Sequence, residues 1–196
     1  MIIILYLIAQ FVPVISWLIG KLWLPLRTSF LGKHVMEILD SPYLWTRANF
    51  DGVHYVSIAR QGYGHLQEAF FPFYSRLINV VRTFTTNYVL AGIVISSLCF
   101  LGVLYLFREL LKDKGVNKKV VDNSLLWLVL FPTSFYFVSV YTESIFLLFV
   151  LLAFWFAGKK NWLFAGIAAA FASYTRLVGI FLVPALLRDT FEFHLV

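Results

Sequence analysis

Asp51, His54 and Tyr55 stand together in the run Asn49-Phe50-Asp51-Gly52-Val53-His54-Tyr55. Side chains three and four positions apart share one face of an α-helix. A helix that starts at Asp51 therefore gathers a carboxylate, an imidazole and a phenol. Each of these groups can take or give a proton, so this run is the place to look for chemistry. The same Asp also reads as a helix cap that satisfies free backbone N–H groups. Two further residues carry charge where charge is costly. Glu143 sits in the corner Tyr141-Thr142-Glu143-Ser144, and Arg176 follows Tyr174-Thr175 between two apolar runs. Glu143 reads either as a site acid or as an acid favoured by a helix N-terminus. Arg176 calls for a phosphate or carboxylate partner, a water-filled cavity, or an interface to snorkel to. No phosphate-binding Gly-rich loop, zinc-ligand spacing or Ser/His/Asp array is spelled out, so the expectation is no metal and no cofactor.

The solvent around these residues follows from composition. Hydrophobic residues are 61% of the 196 and charged residues 13%, and mean hydropathy is +0.83. Soluble domains run at about 45–50% apolar and about 25% charged. Lipid is therefore the expected solvent for much of the chain. The formal charge of +6 would suggest nucleic acid in a soluble protein. Here the basic residues flank hydrophobic runs, the pattern that orients helices in a bilayer, so no nucleic-acid partner is expected. Cys99 stands alone in an apolar run, so it reads as a buried, inert thiol.

A spanning helix needs about 20 mostly apolar residues. The pattern predicts an all-α, polytopic transmembrane bundle, one membrane domain with spans at about 2–24, 88–107, 124–140, 144–157, 162–173 and 177–187. The first run lacks a basic flank and a small-x-small cleavage site, so it reads as a retained span and not a signal peptide. The Arg108–Asp122 loop and the Lys159-Lys160 turn fall on one side, which the basic bias of short loops makes cytoplasmic. Residues 27–87, the Glu143 corner and Arg176 then all fall on the opposite, extracytoplasmic side.

The 27–87 loop is too rich in aromatic and aliphatic residues for a disordered linker. Val53, Val56, Ile58 and Ala59, then Leu77, Ile78, Val81 and Phe84, recur at near-helical spacing. Interfacial amphipathic helices fit that pattern, with Gly62, Gly64 and Pro72 as punctuation. Phe70-Phe71-Pro72-Phe73-Tyr74 reads as an aromatic membrane anchor.

Four stretches then resemble one family. Phe50-Asp51-Gly52-Val53-His54-Tyr55-Val56-Ser57-Ile58-Ala59 with Gly62-Tyr63, Ala69-Phe70-Phe71-Pro72-Phe73-Tyr74, Pro132-Thr133-Ser134 with Tyr141-Thr142-Glu143-Ser144, and Tyr174-Thr175-Arg176-Leu177-Val178-Gly179 are similar, in order and spacing, to the PIG-V family. This is the second mannosyltransferase of GPI-anchor assembly, with its bacterial relatives. Phe50 stands where the family has Trp, and Ser75 where a second Pro is common. Family members are longer chains, so a truncated gene, a split enzyme or a decayed copy is expected.

The resemblance implies a GT-C glycosyltransferase, multi-pass in a bacterial plasma membrane, that moves a sugar from a polyprenyl-phosphate donor to an extracytoplasmic acceptor. It implies Asp51 as base and Arg176 as the cation that meets the leaving phosphate, with Arg47 and Arg60 as substitutes. His54, Tyr55 and Glu143 are the implied substrate-binding residues, and Tyr55, Tyr63 and Phe71 line the sugar or lipid path. Implied partners are membrane lipid, the lipid-linked sugar donor, and a second membrane polypeptide supplying missing helices. The competing reading is a non-catalytic subunit that binds lipid or a partner.

Overall fold

The structure is a computed structural model that describes residues 1–24 and 41–192. The first part of the expected 27–87 loop, residues 27–40, lies outside the described residues. The rest is helical, with no strand among the described residues. In chain order the helices are α1 (Ile2–Trp23), α2 (Pro42–Thr46), α3 (Asp51–Gln61), α4 (Pro72–Thr85), α5 (Tyr88–Asp113) and α6 (Lys118–Leu130). A 3-10 turn, Ser134–Val138, leads to α7 (Glu143–Gly158) and α8 (Trp162–Thr175). A second 3-10 turn, Leu177–Phe181, leads to α9 (Leu182–Glu192).

Among these, α1 and α5 are long and apolar enough to cross a membrane. Their 22 and 26 residues extend about 33 and 39 Å at about 1.5 Å per residue. They differ in surroundings. Most of α5 is buried inside the bundle, whereas α1 buries only Leu5 and Ala9 and leaves Ile3, Leu7, Phe11, Ile15 and Leu18 exposed. The 16 residues of α7 and 14 of α8 reach about 24 and 21 Å, less than the hydrocarbon thickness of about 30 Å.

The expected span at 124–140 is not one helix. Asn117 caps α6 by accepting the Lys119 N–H at 2.8 Å, so the helix begins six residues earlier, at Lys118. It closes at Leu130 because Pro132 has no N–H to donate and forces Phe131 into an extended conformation. The chain then continues as the 3-10 turn. The expected charged loop at 108–122 likewise shrinks to four residues, 114–117. The exposed pair Glu109–Lys112, at 3.0 Å, sits in the last turns of α5, and Gly115 at φ 69° marks the turn after it. The expected sixth span begins as a 3-10 turn and becomes α-helical only at Leu182.

Helix directions are set by cross-contacts. Ser96 meets Tyr141 and Gly102 meets Leu148, so α5 and α7 run parallel. Glu143 meets Arg176 and Phe156 meets Phe164, so α8 runs back along α7. The starts of α3, α5 and α7 and the end of α8 therefore share one end of the bundle. Lys112, Lys114, Lys118, Lys159 and Lys160 fall at the other. Small side chains line the α7–α8 seam, where Ala153, Ala157, Ala165, Ala168, Ala169 and Ala172 are buried together. Such residues let helix backbones approach closely.

Candidate functional site

The site is built around the irregular segment 139–142, which leads into α7. Irregular backbone buried away from water must find partners. Val140 N donates to the Arg47 carbonyl at 2.8 Å, and the Tyr141 carbonyl accepts from Ser96 Oγ at 3.2 Å. Tyr74, fully buried, locks that hydroxyl in turn, with its own oxygen 2.7 Å from Ser96 Oγ and 3.0 Å from the Gly92 carbonyl. Two glycines make room for the segment. A Cβ on Gly92 would stand 2.8 Å from Val140 Cγ1, and one on Gly52 would stand 3.1 Å from the Val140 carbonyl oxygen.

Gly52 thereby seats the start of α3 directly on this corner. Asp51 is the first residue of α3, and the capping position falls to Phe50, at φ 53° and ψ −118°. This is a correction to the cap reading of Asp51. Such a conformation costs a residue with a side chain about 1–3 kcal/mol. It is held by Tyr141, whose hydroxyl donates to the Asn49 carbonyl at 2.6 Å. The Asp51 side chain is exposed, and no hydrogen bond or ion pair with a described residue engages it.

Tyr55, one turn further along α3, is the hub. Its hydroxyl lies 3.5 Å from Thr142 Oγ1, and its ring is edge-on to both Phe70 and Tyr74 at 5.2 Å. Burial is the main reason its pKa is raised. The Thr142 contact opposes that shift, the charges of Asp51 and Glu143 add to it, and Arg176 counters it. Tyr141 is also raised, by burial first and then by neighbours that include Asp51 and Glu143. All three charged candidates therefore act on one phenol. Glu143 Oε1 and Arg176 Nη1 are 2.9 Å apart, the Arg176 guanidinium lies 5.8 Å from the Phe146 ring, and Glu143 Oε2 is buried with no hydrogen-bond partner among the described residues.

His54 is drawn aside. Gln67 Nε2 donates to its Nδ1 at 3.2 Å and its ring stacks on Phe70 at 4.7 Å, so it braces the loop after α3. Arg47 is 6% exposed and fixed, donating to the Val138 carbonyl and, at 3.0 Å, to Gln10 Oε1. Burial pushes its pKa down. It is a structural cation, not a substitute for Arg176. Arg60 lies at the far end of α3, about 13 Å along the helix from Asp51, over the Tyr88 ring.

A pair not singled out from sequence completes this end. Arg76 Nη1 donates to the Tyr174 hydroxyl at 2.6 Å across 98 residues of chain. Phe73 packs beside it on Phe149, Phe171 and Tyr174, at 5.2–5.8 Å. Tyr63 donates to the Phe70 carbonyl at 2.6 Å and lies within electrostatic reach of Arg76 and Tyr174, with burial its main pKa-raising influence. Among the described residues no three His, Cys, Asp or Glu side chains gather closely enough to hold a metal ion.

Comparison of the chain with protein-family models, with curated proteins and with solved structures gives no match.

Proposed function

We propose that this chain is a GT-C-like, multi-pass glycosyltransferase of a bacterial plasma membrane, similar to the PIG-V mannosyltransferases. On this reading it moves a sugar from a polyprenyl-phosphate donor to an acceptor hydroxyl on the extracytoplasmic side. The observation that carries the reading is the gathering at one end of the bundle. A carboxylate with no hydrogen bond or ion pair among the described residues stands near buried phenols and an acid–guanidinium pair, contributed by α3, α7 and α8. The basic ends of α5, α7 and the start of α6 lie at the opposite end, which supports placing Asp51 outside.

The chemistry asks for these groups. The acceptor hydroxyl attacks the anomeric carbon and its proton passes to Asp51, while the C–O bond to phosphate breaks and the phosphate leaves as an anion. A positioned base contributes about 10²–10⁴ in rate, and fixed donors at the developing anion contribute further.

The test is Asp51→Asn in membranes given a radiolabelled polyprenyl-phosphate mannose. Transfer should drop by about 10²-fold or more with membrane insertion unchanged. Activity equal to the parent rejects Asp51 as the base.

A further inference from the structure

Arg60 and Arg82 lie over the Tyr88 ring at the start of α5, and the surroundings of the other guanidiniums near this end, Arg47, Arg176 and Arg76, divide them. Arg47 is buried, its Nη2 donating to the Val138 carbonyl and Gln10 Oε1, and its Nε is enclosed with no hydrogen-bond partner among the described residues. Arg176 is paired with the Glu143 carboxylate, so its charge is offset before any ligand arrives. Arg76 is exposed and has no acidic partner among the described residues. The one hydrogen-bond partner its side chain has there is a neutral hydroxyl, that of Tyr174. A guanidinium carries five N–H donors, and this bond uses one of them. Because the Tyr174 oxygen accepts from Arg76, its own proton is left to donate outward. The ring of Tyr174 is held by Phe73 at 5.8 Å and the guanidinium lies 5.9 Å from its centre, so both groups are positioned before a ligand arrives.

We infer that Arg76 and Tyr174 form a phosphate-binding subsite that receives the headgroup of a prenyl phosphate, with Tyr63 as its outer wall. The identity of the ligand rests on the transferase reading. The subsite itself rests on a cation that has no acidic partner among the described residues and is held against a phenol whose proton is left to donate. It moves the phosphate contact from Arg176 to Arg76. The pair sits where α4 meets the end of α8, at the same end of the bundle as Asp51. A neighbouring apolar seam at Phe73, Phe149 and Phe171 continues inward from the subsite.

The experiment is equilibrium binding of radiolabelled farnesyl phosphate to the full chain in phosphatidylcholine nanodiscs. Farnesol serves as the uncharged control, with inorganic phosphate and phosphatidylglycerol as competitors. A charge-assisted hydrogen-bond pair corresponds to about tenfold or more in affinity. The parent should prefer farnesyl phosphate over farnesol by about that factor. Arg76→Gln should remove the preference, and Arg176→Gln should keep it. Tyr174→Phe retains the packed ring and should weaken binding several-fold, so it carries the test if Arg76→Gln fails to fold. Inorganic phosphate competing weakly supports headgroup recognition. An unchanged preference in both the Arg76 and Tyr174 variants overturns the inference, as does loss of preference in Arg176→Gln with Arg76→Gln unaffected. Equal competition by phosphatidylglycerol overturns the assignment to a prenyl phosphate. If Asp51→Asn stays active while Arg76→Gln loses binding, the transferase mechanism fails and the subsite stands.

Discussion

Glu143 and Arg176, 33 residues apart in sequence, are joined by a 2.9 Å ion pair that ties the first residue of α7 to the residue capping α8. Their side chains are 30% and 40% exposed, so water screens the attraction. Exposed pairs of this kind contribute about 0–1 kcal/mol. A double-mutant cycle with Glu143→Gln and Arg176→Gln, read by thermal unfolding in detergent, should give a coupling of about that size. Strict additivity of the two changes would show that the pair does not hold α7 to α8.

The contact between Gly92 and Val140 is tighter and carries a larger effect. A methyl group at position 92 would lie 2.8 Å from one Val140 methyl and 3.1 Å from the other. Val140 is fully buried and β-branched, so it has little rotamer freedom with which to yield. Gly92→Ala should therefore destabilise the chain by about 1–3 kcal/mol. Val140→Ala in the same molecule should recover much of that loss, because it removes the atoms that clash. Thermal unfolding of the two single variants and the pair checks this, and a Gly92→Ala protein as stable as the parent would contradict the close seating of segment 139–142.

Alkaline pH should loosen the same corner. Tyr55 is held above its ordinary pKa of 10.0, chiefly by burial, and Tyr141 is raised for the same leading reason. The unfolded chain releases these protons near pH 10 while the folded chain keeps them, so the unfolded state binds fewer protons above that pH and stability falls as pH rises. Below about pH 10 the two states are equally protonated at these groups and the contribution is constant. Thermal unfolding followed from about pH 8 to pH 11 should show a flat region and then a decline. Tyr55→Phe should make that decline shallower, and an identical slope in the variant would mean that Tyr55 is not shielded in the fold.

The parts of this site legible from sequence are those written in local spacing. Asp51 and Tyr55 are one helical turn apart, so their association follows from a helix beginning at Asp51, which the structure has. The alternation of charge-poor and basic segments likewise places residues 51, 143 and 176 at one end, where their helices start or finish. What local spacing does not contain is pairing between distant helices. Arg76 reads as a solvent-facing residue of an amphipathic helix until α8 brings Tyr174 against it. His54 shares a helix face with Asp51 in projection, yet Gln67, from a loop with no periodic signal, takes its ring nitrogen. The stretch at 124–140 is not one helix for a local reason: Pro132 marks a break, but hydropathy alone does not show that the helix closes at Leu130 and that an α-helix begins afresh at Glu143.

Sidedness is the last relationship that a direct measurement decides. Asp51 and residue 117 lie at opposite ends of the bundle, since α5 starts near the first and ends beside the second. Cys99 is the chain's one cysteine. Replacing it by alanine gives a background in which single cysteines at positions 51 and 117 can be probed in intact cells with a membrane-impermeant maleimide. The basic residues on the 117 side are the ones that resist translocation. Position 51 should therefore label in intact cells, and position 117 only after permeabilisation. Labelling in the reverse order would place the carboxylate in the cytoplasm, out of reach of a sugar presented on the outer face. Equal labelling of both positions in intact cells would place both outside and mean that the bundle does not separate them across the membrane.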